Sequence, residues 1–175
     1  NLSRVDGPDF RPLRAIPYLA GEPPILSMPM TRGHIGPLAA MGPALDPVLD
    51  HVAARRWRLR GLLSGARLLD QVTLTPEGVP AWQQEALVSS LVQEGRRFFV
   101  LHYHSPSLVP GHTPYAHTLA EVDALLERLR RVCAFLLERL GAVPGDPLDL
   151  LPPELRRRPI SEFVATPSGS TAAIA

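Results

Sequence analysis

The sequence predicts an α/β fold whose strands run mainly parallel. Segments with strand character alternate along the chain with segments of helical periodicity, and 45% of the residues are hydrophobic, which suffices for a core. The single cysteine excludes a disulfide framework, so that core must be supported by packing alone. The length of 175 residues fits about one domain. We expect this domain over residues 1–141 and a poorly ordered tail over residues 142–175.

Charge and composition exclude several classes of function. All 18 basic residues are arginine, so no lysine is present to form a Schiff base or a phosphate-binding P-loop. The net charge of +1 gives no electrostatic reason to expect a nucleic-acid partner. No apolar run approaches the roughly 18 residues that a membrane span needs, and no leader opens the sequence. We therefore expect no membrane span, and a cytoplasmic location is favoured.

The first third of the chain predicts one strand and two short helices. Five prolines within residues 1–24 argue against a long helix or a central strand. Residues 25–30 form a short apolar run that predicts a buried or edge strand. Asp46 followed by Pro47 is typical of a helix start, with the aspartate as N-cap. A second helix is predicted around residues 57–69.

The middle of the chain predicts a strand, a turn and a helix. The strand covers residues 71–74, and Thr-Pro-Glu-Gly at residues 75–78 is a turn. The helix covers residues 80–94, and Gly95 is placed to end it. Its predicted core face consists of Trp82, Leu87 and Leu91.

The last elements are a strand and a long helix. Residues 96–104 combine aromatic and β-branched residues and give the strongest strand signal in the sequence. Thr118 and Glu121 have the spacing of a capping box at a helix start. Apolar residues then recur at steps of three and four up to residue 140, and Gly141 closes this helix.

Candidate chemistry lies directly after the predicted strand 96–104. Ligands of parallel α/β folds bind at the carboxyl ends of the strands, and four of the six histidines lie within residues 102–117. His102 and His104 are two apart, so they share a face of a strand and are candidates for one metal, although no third ligand is identifiable. The alternative is one core histidine and one facing solvent. His104, at the end of the strand, is the better candidate for proton transfer because imidazole titrates near neutral pH.

The two serines that follow, Ser105 and Ser107, flank Pro106. No G-x-S-x-G elbow surrounds them, so turn hydroxyls are favoured over nucleophiles.

This part of the chain resembles a known family. The segment Leu-His-Tyr-His-Ser-Pro-Ser-Leu at residues 101–108, followed by Pro-Gly-His-Thr-Pro-Tyr at residues 110–115 and a long helix, is similar to the last strand, loop and helix of bacterial polysaccharide deacetylases. Shorter upstream segments agree, and the resemblance extends over residues 7–140. It implies a distorted barrel of parallel strands with outer helices, of which this chain is the carboxyl-terminal part.

The resemblance also implies an activity in carbohydrate metabolism. Members of the family are hydrolases that use a divalent, zinc-like metal to remove an N-acyl group from a sugar, cleaving a non-peptide amide. Leu101 and His104 match their L-x-x-H motif, in which the leucine lines the pocket for the acetyl methyl and the histidine acts as general acid toward the departing amine. The positions expected to contact the carbohydrate substrate are Leu101, Tyr103, Ser105, Ser107, His112 and Tyr115.

The sequence departs from the family at the metal. It contains neither the acidic pair of the family's first strand nor an H-x-x-x-H motif, so we expect no metal site in this chain and no activity from this chain alone. Together with a first residue that is Asn1, this predicts a carboxyl-terminal fragment whose partner is the missing amino-terminal half of the barrel. The alternative is a non-catalytic protein with a degenerate deacetylase fold that binds carbohydrate or a partner through Tyr103, His104, His112 and Tyr115.

Overall fold

The computed structural model of the chain describes residues 17–20, 25–51, 57–150 and 172–173. Within these residues helices and strands are mixed, which confirms the α/β class in general terms. In chain order the elements are β1 (Tyr18–Ala20), β2 (Ile25–Ser27), β3 (Arg32–Ile35), α1 (Gly42–Asp50), α2 (Leu59–Gly65), β4 (Asp70–Thr73), α3 (Ala81–Gln93), α4 (Leu119–Ala134) and β5 (Ala172–Ala173). The chain divides into two compact units, Asn1–Pro29 with Val143–Ala175, and Met30–Ala142.

The first unit contains a small antiparallel sheet with the strand order β2-β1-β5. Leu19 of β1 lies opposite Leu26 on one side and Ala172 on the other. The strand predicted at residues 25–30 is thus present over Ile25–Ser27. The proline-rich segment and most of the predicted tail lie outside the described residues. The part of the tail that is described contains a short 3-10 turn at Pro147–Leu150.

The second unit is built on the two-stranded sheet of β3 and β4, which α3 covers and α4 packs behind. The pairing is antiparallel, with Arg32 opposite Thr73 and Ile35 opposite Asp70. The core consists of Ile35, Val72, Leu74, Ala81, Leu87, Val88, Leu91 and Val132. This packing places the loop after β4 beside α4.

The prediction of mainly parallel strands is wrong for the described strands, which all pair antiparallel. The reason in the second unit is a close contact between the two ends of the connection from β3 to β4. The Leu38 N–H donates to the Leu68 carbonyl at 3.0 Å, directly beyond the Ile35–Asp70 pair. The helices α1 and α2 are therefore an insertion between two antiparallel strands and not a crossover between parallel ones. No barrel is present in the described part of the chain.

Gly36 makes this return of the chain possible, and replacing it with alanine is expected to destabilise the fold. Its φ is +103°, and an added Cβ would lie 2.6 Å from the Leu68 carbonyl oxygen. We expect Gly36→Ala to lower the free energy of unfolding by at least about 1–3 kcal/mol, measured by urea denaturation. Gly61→Ala in α2 is the control, because nothing lies within 4 Å of the added methyl group, and it should stabilise by about 0.5–1 kcal/mol. Equal effects of the two changes would contradict this account of the connection.

The strand predicted over residues 96–104 does not form a ladder with any described strand. The Thr31 N–H donates to the Val100 carbonyl and the His102 N–H to the Leu74 carbonyl, each at 3.3 Å. The Val100 N–H donates instead to the Thr31 side-chain hydroxyl at 2.7 Å. Because a side chain takes this donor, the regular alternation of backbone hydrogen bonds is interrupted. The segment still runs beside the end of β4.

The prediction that Asp46 caps a helix is wrong. α1 begins four residues earlier at Gly42, and Pro47 lies inside it. The Asp46 carboxylate instead bonds His34 Nε2 at 3.1 Å and the guanidinium of Arg60 at 2.9 Å. Distant partners thus hold the carboxylate that local sequence assigned to a cap. The second predicted helix is present as α2, shorter than expected.

The two long helices are close to their predicted bounds. The capping box of Thr118 and Glu121 is formed at the start of α4, and a π-helical turn at Phe135–Arg139 extends that helix. Gly95 and Gly141 both adopt positive φ after their helices, as helix-ending glycines do. Trp82, predicted to face the core, is instead 47% exposed. Among the described helices, none has the length and apolar character required to cross a membrane.

Candidate active site

The loop that follows β4 carries a buried carboxylate, that of Glu77. Leu74 and Pro76 are fully buried, and only 3% of the Glu77 side chain is exposed. The Leu74 N–H donates to the Thr31 carbonyl at 2.8 Å, which holds the start of the loop against β3. Gly78 follows with a φ of +71°, a conformation that glycine adopts without strain, so the chain turns immediately after the carboxylate.

Three donors from the segment 104–107 meet this carboxylate. Glu77 Oε1 accepts from the backbone N–H of His104 at 2.9 Å and from the hydroxyl of Ser107. Glu77 Oε2 lies 2.7 Å from His104 Nδ1. A buried carboxylate needs such partners because its charge is poorly solvated. The result is a histidine held by a carboxylate at two atoms, one in its backbone and one in its ring.

The ionisation state of Glu77 determines which nitrogen of the His104 imidazole carries the proton. Burial by itself raises the pKa of Glu77, but the hydrogen bonds from Ser107 and from His104, with the charge of the imidazole, bring that pKa below its ordinary value of 4.5. Glu77 is therefore ionised at neutral pH and can only accept hydrogen bonds. It follows that His104 Nδ1 carries the proton of this contact, which leaves Nε2 for an external partner. The His104 side chain is 62% exposed, so such a partner can reach it.

The buried side chain of Ser107 also holds the Glu77 carboxylate. It lies in a 3-10 turn at Ser105–Leu108, is fully buried, and its Oγ also lies 2.9 Å from Thr113 Oγ1. Thr113 in turn belongs to a small closed loop in which it bridges to the buried Ala116. The expectation that Ser107 contacts substrate is therefore corrected, because the structure places its hydroxyl away from solvent.

Removing the Ser107 hydroxyl is expected to lower the stability of the chain while the bond between Glu77 and the His104 N–H remains. In Ser107→Ala, Glu77 Oε1 keeps the His104 N–H but loses one donor, so we expect about 1 kcal/mol less stability. The same loss should raise the pKa of Glu77, because the hydroxyl stabilises its charged form. Chemical denaturation and a carboxyl titration by NMR measure the two effects. Ser105→Ala, at an exposed neighbouring position, is the control and should produce neither effect.

Tyr115 forms one wall beside the exposed imidazole. Its ring is stacked on that of His104, with centroids 6.4 Å apart and an interplanar angle of 11°. Tyr115 is 43% exposed and Tyr103 is 41% exposed, so both residues are accessible to solvent. The structure thus brings the predicted residues Tyr115 and His104 into contact.

His102 lies behind His104 and differs from it in environment. The two ring centroids are 6.1 Å apart in an edge arrangement, as expected for side chains on one face of an extended segment. Burial lowers the pKa of His102 below its ordinary 6.5, with the charge of Glu77 opposing this, so His102 is neutral at neutral pH. Its Nδ1 is buried and has no hydrogen-bond partner among the described residues.

The remaining predicted contacts are divided between core and surface. The side chain of Leu101 is partly buried and packs against the core cluster. Ser105 and His112 are exposed. In the described part of the chain, His112 makes a backbone hydrogen bond to Val109 at 3.3 Å and no side-chain hydrogen bond to His104. The structure therefore does not join His112 to the site.

Sequence reasoning missed Glu77, which is the central residue of the site. It is 27 positions before His104, and its Thr-Pro-Glu-Gly context has every property of a turn. The one available signal is an acidic residue in the short turn that follows a predicted strand. The partners of a buried carboxylate are determined by tertiary packing, which spacing along the chain does not report.

No protein-family model, no curated protein and no solved structure matches this chain. In the ranges that the structure describes, no group of three or more His, Cys, Asp or Glu side chains is arranged to hold a metal ion. The titratable pair at the centre of the site is that of Glu77 and His104.

Proposed function

We propose that this chain is the carboxyl-terminal part of a metal-dependent hydrolase that removes N-acyl groups from a sugar polymer, as polysaccharide deacetylases do, and that His104 is its general acid. One observation carries the proposal. The exposed imidazole of His104 is held through Nδ1 at 2.7 Å by Glu77, a buried and ionised carboxylate. A histidine oriented in this way presents Nε2 for proton transfer, as in other sites where a carboxylate orients a catalytic imidazole.

The proposed step is the breakdown of a tetrahedral intermediate formed by water on the amide carbon. The bond between that carbon and the sugar nitrogen breaks, its electron pair stays on the nitrogen, and a proton moves from His104 Nε2 to the same nitrogen. The products are a carboxylic acid and a neutral amine, which leaves far more readily than an amide anion. Glu77 stabilises the imidazolium that precedes this transfer, because its charge lies against Nδ1.

The arrangement does not favour a serine hydrolase. A nucleophilic serine needs its hydroxyl on the imidazole, whereas the Ser107 hydroxyl donates to the Glu77 carboxylate and is fully buried. Ser105 is exposed, but among the described residues it has no side-chain hydrogen bond to His104. The histidine and carboxylate therefore act without a neighbouring nucleophile, and water remains the attacking group.

The metal of the proposed enzyme is not provided by the described residues. They contain no suitable cluster of ligands, so they do not fit a divalent cation, and we assign no step of the reaction to one. On this proposal the ligands and the group that activates water belong to chain outside the described residues.

The surroundings of His104 suit a sugar. Tyr115 exposes part of an aromatic ring with a polar hydroxyl beside the imidazole, a combination that contacts both the apolar faces and the hydroxyl groups of a carbohydrate. Because Tyr115 stacks on the imidazole itself, a ring bound against it lies next to the proton donor. This geometry is compatible with a carbohydrate substrate.

The proposal is tested by expressing the entire reading frame that encodes these residues. We expect its upstream part to contain an acidic doublet and a histidine pair. The purified protein, with zinc added, should release acetate from N-acetylglucosamine oligomers. A start codon directly before Asn1, together with carbohydrate binding but no acetate release, would favour the non-catalytic binding protein instead. That result would overturn the proposal.

A further inference from the structure

The peptide group between Pro76 and Glu77 is held at both of its polar atoms. The Pro76 carbonyl accepts from Arg128 Nε at 2.8 Å, across 52 residues of sequence. The Glu77 N–H donates to Thr75 Oγ1 at 3.2 Å. Since a peptide group is planar, fixing its oxygen and its nitrogen fixes the plane from which the Glu77 side chain departs.

We propose that Arg128 is a positioning residue that keeps the Glu77 carboxylate at hydrogen-bonding distance from the imidazole of His104. The inference rests on the proposed role of His104 and adds to it the connection from the long helix to the site. Arg128 acts through the backbone, because its guanidinium bonds the Pro76 carbonyl.

The loop needs such an anchor because its other long-range backbone hydrogen bonds lie before Glu77. The backbone N–H of Leu74 is held by Thr31, and its carbonyl by His102. Beyond Glu77 comes Gly78, whose positive φ marks a position with wide conformational freedom. Within the described residues, the bond from Arg128 is the one backbone contact that reaches the Pro76–Glu77 peptide from another element.

Helix α4 is a rigid support for this contact. Its residues Val122, Leu125 and Val132 are buried, so the helix is held on both sides of Arg128. No ion pair of Arg128 with a carboxylate occurs among the described residues. By contrast, Arg131, one turn further along, forms two hydrogen bonds to Glu85 of α3, at 2.6 and 3.2 Å. The two arginines of one helix thus have different partners, one a backbone carbonyl at the site and the other a carboxylate away from it.

The test is NMR of the 175-residue chain with ¹⁵N-labelled histidine. In the unaltered chain we expect His104 to show a deshielded Nδ1 proton and the Nδ1–H tautomer, because Nδ1 donates to a carboxylate. Arg128→Met removes the donor but keeps an unbranched apolar stem, and we expect the deshielded proton to be lost. Arg128→Lys keeps a donor near the carbonyl and should restore part of the signal.

Arg131→Met is the matched control on the same helix. This change removes the ion pair with Glu85 and shows the effect of a general loss of stability away from the site. The His104 signal should therefore be unchanged in the folded protein. A deshielded Nδ1 proton that persists in Arg128→Met, or one that disappears equally in Arg131→Met, would overturn the inference.

Glu77→Gln separates this result from the proposed function. If Glu77→Gln abolishes the signal and Arg128→Met does not, the pair stands and only the role of Arg128 fails. If Glu77→Gln leaves the signal unchanged, the pair itself fails.

Discussion

Replacing His104 with alanine in the protein made from the entire reading frame is expected to lower the turnover of an N-acetylated sugar by about a hundredfold or more. The imidazole is the one ring whose nitrogen is held by a buried carboxylate in the described structure, and in the proposed function it supplies the proton that the departing amine needs. The Michaelis constant should change less than turnover, because the proton moves only in the transition state. Steady-state release of acetate measures both.

His117→Ala is the control for this experiment. His117 is also exposed and belongs to the same histidine-rich stretch, but its backbone N–H bonds the helix-capping Glu121 and not the site. Turnover should be retained in that variant. Unaltered turnover in His104→Ala, with the protein folded and its metal content unchanged, would show that His104 is not the general acid.

Glu77→Gln is expected to lower stability and turnover together. The NH2 group of the glutamine side chain would face hydrogen-bond donors, because both carboxylate oxygens of Glu77 accept hydrogen bonds in the folded chain. Leaving such groups unsatisfied in a buried site costs about 1–3 kcal/mol, which should appear in the free energy of unfolding at neutral pH. Turnover should also fall, since the tautomer and the orientation of His104 depend on the carboxylate.

The effect of Glu77→Gln should depend on pH in a defined direction. The pKa of Glu77 lies below 4.5 in the folded chain, so the carboxylate contributes stability above that value and loses it as the pH falls toward the folded-state pKa. The difference in stability between the unaltered chain and the variant should therefore be full at neutral pH and shrink below about pH 4.5. Denaturation at a series of pH values measures it.

The matched control is Glu127→Gln, since the Glu127 side chain is 74% exposed and, among the described residues, pairs only with the exposed Arg130. It should change stability by no more than about 0.5 kcal/mol. A Glu77→Gln variant as stable as the Glu127→Gln variant at neutral pH would mean that the carboxylate does not organise the site.

Elements whose signals are local could be predicted from the sequence. The capping box of Thr118 and Glu121 has both of its partners within one turn, and the structure forms it. Gly95 and Gly141 end their helices because each residue alone decides the local φ. The bounds of α3 and β4 also follow from short-range periodicity, and they differ little from the prediction.

Features that depend on distant partners could not be predicted in this way. Asp46 has the local context of a cap, but its carboxylate is held by His34 and Arg60. The antiparallel return from β3 to β4 depends on Gly36 lying against the backbone of Leu68. His104 was identified by composition and by resemblance, whereas its partner Glu77 became visible only when packing placed the two side by side.

The most direct test of the role of His104 compares two leaving groups in the His104→Ala variant. An N-acetylated sugar must release a basic amine, which needs a proton, whereas 4-nitrophenyl acetate releases a stable phenolate, which does not. If His104 is the proton donor, the variant should lose about a hundredfold or more in turnover of the sugar and little in turnover of the ester. Equal losses with both substrates would contradict the account, because they would mean that the imidazole supports the site without donating a proton to the leaving group.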